Sequence, residues 1–135
     1  MLKFEFVNLN PKNRKTGDCS TRALSNILKM SYEDTLKLQC EVALDCYYDL
    51  SSKQVVERVL KKYGYVKMPQ PKKSDGTKYK VYELDELVPL ELREKGVLVT
   101  IANHHTVVKG DYIEDTWNCG YKTIGNFYVK TRSGI

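Results

Sequence analysis

The chain predicts an α+β fold, with helices in its first half and an antiparallel sheet in its second. Three observations predict it. Apolar residues recur at helical spacing between residues 20 and 63. After Gly96, β-branched and aromatic runs alternate with Gly, Asn and Asp turns. A 41% hydrophobic composition over 135 residues supports a folded core in one domain. Helices first and strands second imply segregated layers rather than βαβ units.

Residues 1–7 alternate like an opening strand, and 8–17 read as a polar loop with Pro11 and Gly17. A helix follows over 20–30, with Ala23, Leu24, Ile27 and Leu28 on one face. Ser31 reads as the next N-cap, with Asp34 three residues on in an approximate capping box. That helix runs to 48 and would bury Leu36, Cys40 and Ala43. Ser51 would cap a third helix, with Gln54 completing its box. Val56, Val59, Leu60 and Tyr63 form its apolar stripe, and Gly64 stops it. Residues 85–95 read as a shorter helix with Pro89 near its first turn and Gly96 at its end. Strands are expected at 97–101, 106–109, 112–116 and 126–130.

The net charge of +5 and pI near 8.9 are a mild basic excess. The densest basic stretch, 61–80, also holds Pro69, Pro71 and the turn pair Asp75-Gly76, so it reads as a solvated loop. A nucleic-acid surface is the sharper alternative, but no nucleic-acid motif accompanies it. No apolar stretch is long enough to span a membrane, and the N-terminus lacks the pattern of a signal peptide. The expected compartment is cytoplasmic, where thiols stay reduced. The cysteines at 19, 40, 46 and 119 form no staple framework. Cys40, Cys46, Cys119 and the histidines are a conceivable zinc set, but no Cys-x-x-Cys knuckle is present. Neither a metal nor another cofactor is expected.

Gly17-Asp18-Cys19-Ser20-Thr21-Arg22 delivers a cysteine to the first turn of a helix. Helix N-termini carry partial positive charge and unpaired N–H groups, which favour a thiolate and can hold an oxyanion. The alternative is a small buried thiol at a helix start. A base and an orienting group would separate the two. The chain's two histidines are His104 and His105. A hairpin turning at Lys109-Gly110-Asp111 sets His105 opposite Asp115, so the three residues could act as nucleophile, base and orienting carboxylate. His104 competes, because adjacent strand residues face opposite sides and only one can meet Asp115. Asp18 reads as an N-cap. Arg22 reads as its partner, or as a cation lowering the thiol pKa. Trp117 would shield the His–Asp pair or pack in the core, and Asn118 is an alternative third member.

Asp18-Cys19 opening a helix, a late His-Thr-Val-Val strand and then Asp115 resemble the papain-like cysteine peptidase fold, in particular the C39-type bacteriocin-processing peptidases. In those enzymes a Gln six residues before the Cys lines the oxyanion hole. That position is Asn13 here, so the resemblance implies Asn13 and the Cys19 backbone N–H as oxyanion donors. It also implies His105, directly before the apolar strand, as the base. Asn10-Pro11, Gly17-Asp18-Cys19, Arg22-Ala23, His105 and Asp115-Thr116-Trp117 are similar to a motif of small bacteriophage and Gram-positive bacterial proteins. The resemblance implies a cofactor-free cysteine hydrolase acting on a peptide or protein. Three rivals stay open. Asp-Cys-Ser resembles the NlpC/P60 amidases, although Thr21 replaces their Gly, and the His-to-Asp spacing is similar to that of transglutaminase-like enzymes. A non-enzymatic papain-like module binding a host protein is the second rival. A basic nucleic-acid-binding domain is the third.

Overall fold

The computed structural model describes residues 1–14 and 16–131. They form an α+β fold: β1 (Lys3–Phe6), α1 (Cys19–Leu28), α2 (Tyr32–Cys46), α3 (Lys53–Lys62), β2 (Tyr65–Met68), a 3-10 turn (Val81–Glu86), α4 (Leu90–Glu94), β3 (Val97–Ile101), β4 (His104–Lys109), β5 (Tyr112–Asp115) and β6 (Asn126–Lys130). The strands make one sheet in the order β1-β5-β4-β3-β6-β2. It is mixed rather than purely antiparallel, because β1 lies parallel to β5 at one edge. β2 closes the other edge antiparallel to β6, within the basic stretch expected to be loop. Only Tyr65 of its four residues is buried, so the strand carries no apolar alternation to reveal it. Lysines of that stretch are also paired: Lys67 with Glu57 at 3.0 Å and Lys73 with Glu83 at 2.8 Å. Among the described residues, no helix is long and apolar enough to cross a membrane.

The sheet is covered on both faces, as its alternation dictates. Leu98, Val107 and Tyr128 face the helices, joining Leu24, Ile27, Val56 and Leu60. Val97, Val99, Val108, Ile113, Phe127 and Val129 face away, under Val81, Leu84, Val88 and Cys119. α2 buries Thr35, Gln39 and Val42 instead of Leu36, Cys40 and Ala43. The shift follows from Gln39, whose buried amide donates to Leu50 O at 3.0 Å and Ser20 Oγ at 3.3 Å and accepts from Thr21 Oγ1 at 2.7 Å. A satisfied buried polar group is invisible to an apolar pattern. Ser52 rather than Ser51 caps α3, accepting from the Val55 N–H at 3.2 Å. Ser51 instead donates to Asp49, and Tyr63 stands 38% exposed rather than in the stripe. The helix expected at 85–95 splits at Pro89, which has no N–H to continue it and sits at the α4 N-cap.

Gly96 ties the helical layer to the sheet. Its φ is +94°, and a Cβ there would lie 2.9 Å from Ile27 Cγ1. Gly96→Ala adds backbone strain to that overlap and is expected to destabilise by about 1–3 kcal/mol, read from urea unfolding midpoints.

Candidate active site

Arg93 fixes the hairpin that builds the site. It is buried, and its Nε donates to Val88 O at 2.9 Å. Its Nη1 donates to Gly110 O at 2.7 Å and Asp111 Oδ1 at 2.8 Å. The Gly110 N–H returns a bond to Arg93 O at 3.0 Å. The turn is thereby held at two residues, Gly110-Asp111, with Lys109 paired to Tyr112, Val108 to Ile113 and Val107 to Glu114. Continuing that register puts Thr106 opposite Asp115. Asp115 therefore shares a face with Thr106 and His104, two residues apart on β4, and not with His105.

This corrects the expected pairing. A turn centred on Gly110 would have set His105 against Asp115. The observed register is one residue different, and a one-residue slip exchanges the faces of a strand. His104 Nε2 lies 2.6 Å from Asp115 Oδ2, with both side chains at least nine-tenths buried. His105 turns to the helical face, where its Nε2 is buried without a protein hydrogen-bond partner.

Cys19 opens α1, and the N-terminus of that helix meets the rim of the sheet where β4 begins. Burial would raise the Cys19 thiol. Hydrogen bonds from the His104 side chain and from the His105 side chain and backbone, with the His104 charge, overcome this and hold it at about 5. Burial likewise disfavours a charged His104, but hydrogen bonds to Asp115, Cys119 and Cys19 raise it to about 11. Both shifts run toward the charged forms, the direction in which a cysteine–histidine ion pair moves its two members. Asp115 is held below its ordinary value against burial, by His104 and Thr106 and by the Thr116 N–H.

Around this core stands a polar frame. Arg22 binds Asp18 through Nε at 2.7 Å, and through Nη1 reaches Thr116 Oγ1 at 3.0 Å and Asp115 Oδ1 at 3.3 Å. The expected Arg22–Asp18 pair is present, and it extends to Asp115. Asp18 stands at the N-cap position, but its side chain caps no helical N–H. Its carboxylate is drawn away by Arg22, by Asn10 Nδ2 at 3.0 Å and by Tyr32 Oη at 2.7 Å. The Trp117 ring tilts against His104 at 5.0 Å between centroids and remains 37% exposed, so it covers the pair from the solvent side. Cys119 is fully buried, with its thiol 3.7 Å from Asp115 Oδ2. Sequence reading had no signal for that contact, because Cys119 follows β5 in an irregular loop. Asn118 turns back to the Gly120 N–H at 3.0 Å and is not a third member.

Two clefts meet at Cys19. One of about 940 Å³ is walled by Phe6, Asn13, Arg14, Arg22 and Trp117. The other, of about 530 Å³, is walled by Ser51, Lys53, Thr100 and His105. Gly17, Cys19, Asn103 and His104 line both. Asn13 is thus in the wall of the larger cleft, held at φ +51° with its N–H on Asn10 O.

His104, Asp115 and Cys119 are the one group of potential metal ligands among the described residues, and Cys40 and Cys46 are not in it. Two donors on a tetrahedral zinc would sit about 3.3 Å apart at ordinary bond lengths. The 2.6 Å His104–Asp115 contact is shorter, and fits a shared proton. The Arg22 cation on the same carboxylate also opposes a metal there.

Compared with family models, curated proteins and solved structures, the chain matches none of them.

Proposed function

We propose that this protein is a cysteine hydrolase of the papain-like kind, with Cys19 as nucleophile, His104 as general acid and base, and Asp115 as the orienting carboxylate. The observation that carries the reading is His104, which is hydrogen-bonded to Asp115 at 2.6 Å and lines both clefts beside Cys19, whose thiol is held at about 5. With Nε2 on Asp115, Nδ1 is the ring nitrogen left for Cys19. The thiolate adds to an acyl carbon, and the carbonyl electron pair moves to oxygen. That oxyanion meets the free N–H of Cys19 at the start of α1, with Asn13 available from the cleft wall. As the bond to the leaving amine or alkoxide breaks, His104 gives it a proton. Water then attacks the thioester while passing a proton back to His104, and the thiolate is released. The clefts on either side of Cys19 suit a peptide or protein chain running through them. This assigns the base to His104 where the family resemblance favoured His105.

The test uses p-nitrophenyl acetate as a generic acyl donor. A stoichiometric burst of p-nitrophenol followed by steady turnover is expected, with the acetyl group mapped to Cys19 by mass spectrometry. The Cys19→Ala and His104→Ala variants should lose both phases. A folded protein without turnover would favour the reading as a non-enzymatic binding module.

A further inference from the structure

A row of polar residues crosses the helical face of the sheet beside Cys19. Thr100 on β3 pairs with His105 on β4 and with Asn126 on β6. All three lie two residues beyond the apolar row Val107–Leu98–Tyr128, so they share its face. At ordinary strand spacing the row is about 10 Å long. Its two ends carry polar atoms that are buried and have no protein partner, His105 Nε2 and Asn126 Oδ1. Buried polar atoms in a native fold are normally partnered, and unpaired ones cost free energy. The row forms a continuous floor. His105 and Thr100 line the cleft of about 530 Å³. Thr100 and Asn126 line an adjoining pocket of about 160 Å³. Lys53 borders both.

We infer that this row is a specificity subsite of the proposed hydrolase, and that it takes a substrate side chain ending in a carboxamide, as in glutamine. The inference rests on Cys19 being the nucleophile. Asn126 Oδ1 needs a donor, which a carboxylate lacks. A carboxamide offers donor and acceptor on one plane, and so complements the Asn126 amide whichever way that amide is turned. Lys53, at the border of both clefts, is the cation that a carboxylate would seek, and the glutamic acid reagent below tests for it. Lys67 is already bound to Glu57 at 3.0 Å, and Glu57 also accepts from Tyr128 Oη at 3.2 Å. An aliphatic side chain would leave Asn126 Oδ1 buried without a partner.

The test compares iodoacetyl derivatives of glutamine amide, leucine amide and glutamic acid amide. In each, the thiolate displaces iodide and forms a C–S bond, and the flexible arm can enter either cleft. Rates at Cys19 are normalised to those of glutathione. The glutamine reagent should react about tenfold faster than the leucine reagent, the discrimination that two neutral hydrogen bonds supply. Asn126→Leu should bring that ratio to about one. Asn126→Thr, which keeps strand propensity, should do the same if the leucine variant does not fold. A wild-type ratio near one, a ratio that survives these variants, or a faster glutamate reagent overturns the subsite. Plain iodoacetamide separates the two levels. If it labels Cys19 faster than glutathione at pH 6 while the ratio is flat, only the subsite fails. If it does not, the nucleophile fails as well.

Discussion

Iodoacetamide will alkylate Cys19 along a pH profile with its midpoint near 5, where an ordinary thiol stands at 9.0. The thiolate is the reacting form, so Cys19 is almost wholly reactive at pH 6, where an ordinary thiol is about 0.1% ionised. Part of that advantage is lost because a less basic thiolate is a weaker nucleophile, with a Brønsted slope of about 0.4–0.5. The net gain over glutathione at pH 6 is about tenfold. His104→Gln should move the midpoint up by more than His105→Gln, because His104 supplies both a hydrogen bond and the charge. Peptide mapping after timed quenching measures it. A midpoint near 8 in the folded wild type would sink the ion pair. The same shifts act on stability in opposite pH windows. The depressed Cys19 pKa adds stability that is complete above about 9 and is lost as pH falls through about 5. The raised His104 pKa adds stability that is complete below 6.5 and is lost as pH rises through about 11.

Asp115→Asn will destabilise the fold by about 3–5 kcal/mol at pH 7, the usual cost of removing one partner from a buried ion pair. Among the described residues Asp115 is the sole carboxylate contacting His104, and it also receives Arg22. The variant leaves the buried imidazolium with the Cys19 thiolate as its one remaining counter-charge among the described residues. His104 should then neutralise, and the Cys19 alkylation midpoint should climb with it. The sign against pH follows from the depressed Asp115 pKa. Its stabilisation is present above the ordinary carboxylate range and fades as acid protonates it. The gap between wild type and variant in urea unfolding should therefore narrow below a pH of about 4. A loss under about 1 kcal/mol at pH 7 would mean that Asp115 does not hold a charged His104.

Much of the scaffold was legible because its signals are local. The strands at 97–101 and 126–130 follow from β-branched and aromatic runs between turns, and the structure has them at the same bounds. Ser31 caps α2 as its spacing suggested, accepting from the Asp34 N–H at 3.1 Å. Features that depend on distant partners were not legible. β1 could be read as a strand, but its parallel seat beside β5 depends on chain 106 residues or more away. Gln39 carries no apolar signal, and its burial depends on Thr21, Ser20 and Leu50, which supply its partners. Asp18 had the residue type of a cap, but Arg22, Tyr32 and Asn10 claim its carboxylate instead.

The candidate site divides along the same line. By itself the sequence determined that a thiol opens a helix, and that two adjacent histidines and an aspartate flank one short hairpin, since these are matters of local spacing and turn chemistry. Which histidine meets the aspartate was a tertiary decision. Arg93, reaching back from α4, holds the β4–β5 turn to two residues, and the alternation of side chains across a strand turns that single register choice into His104 rather than His105.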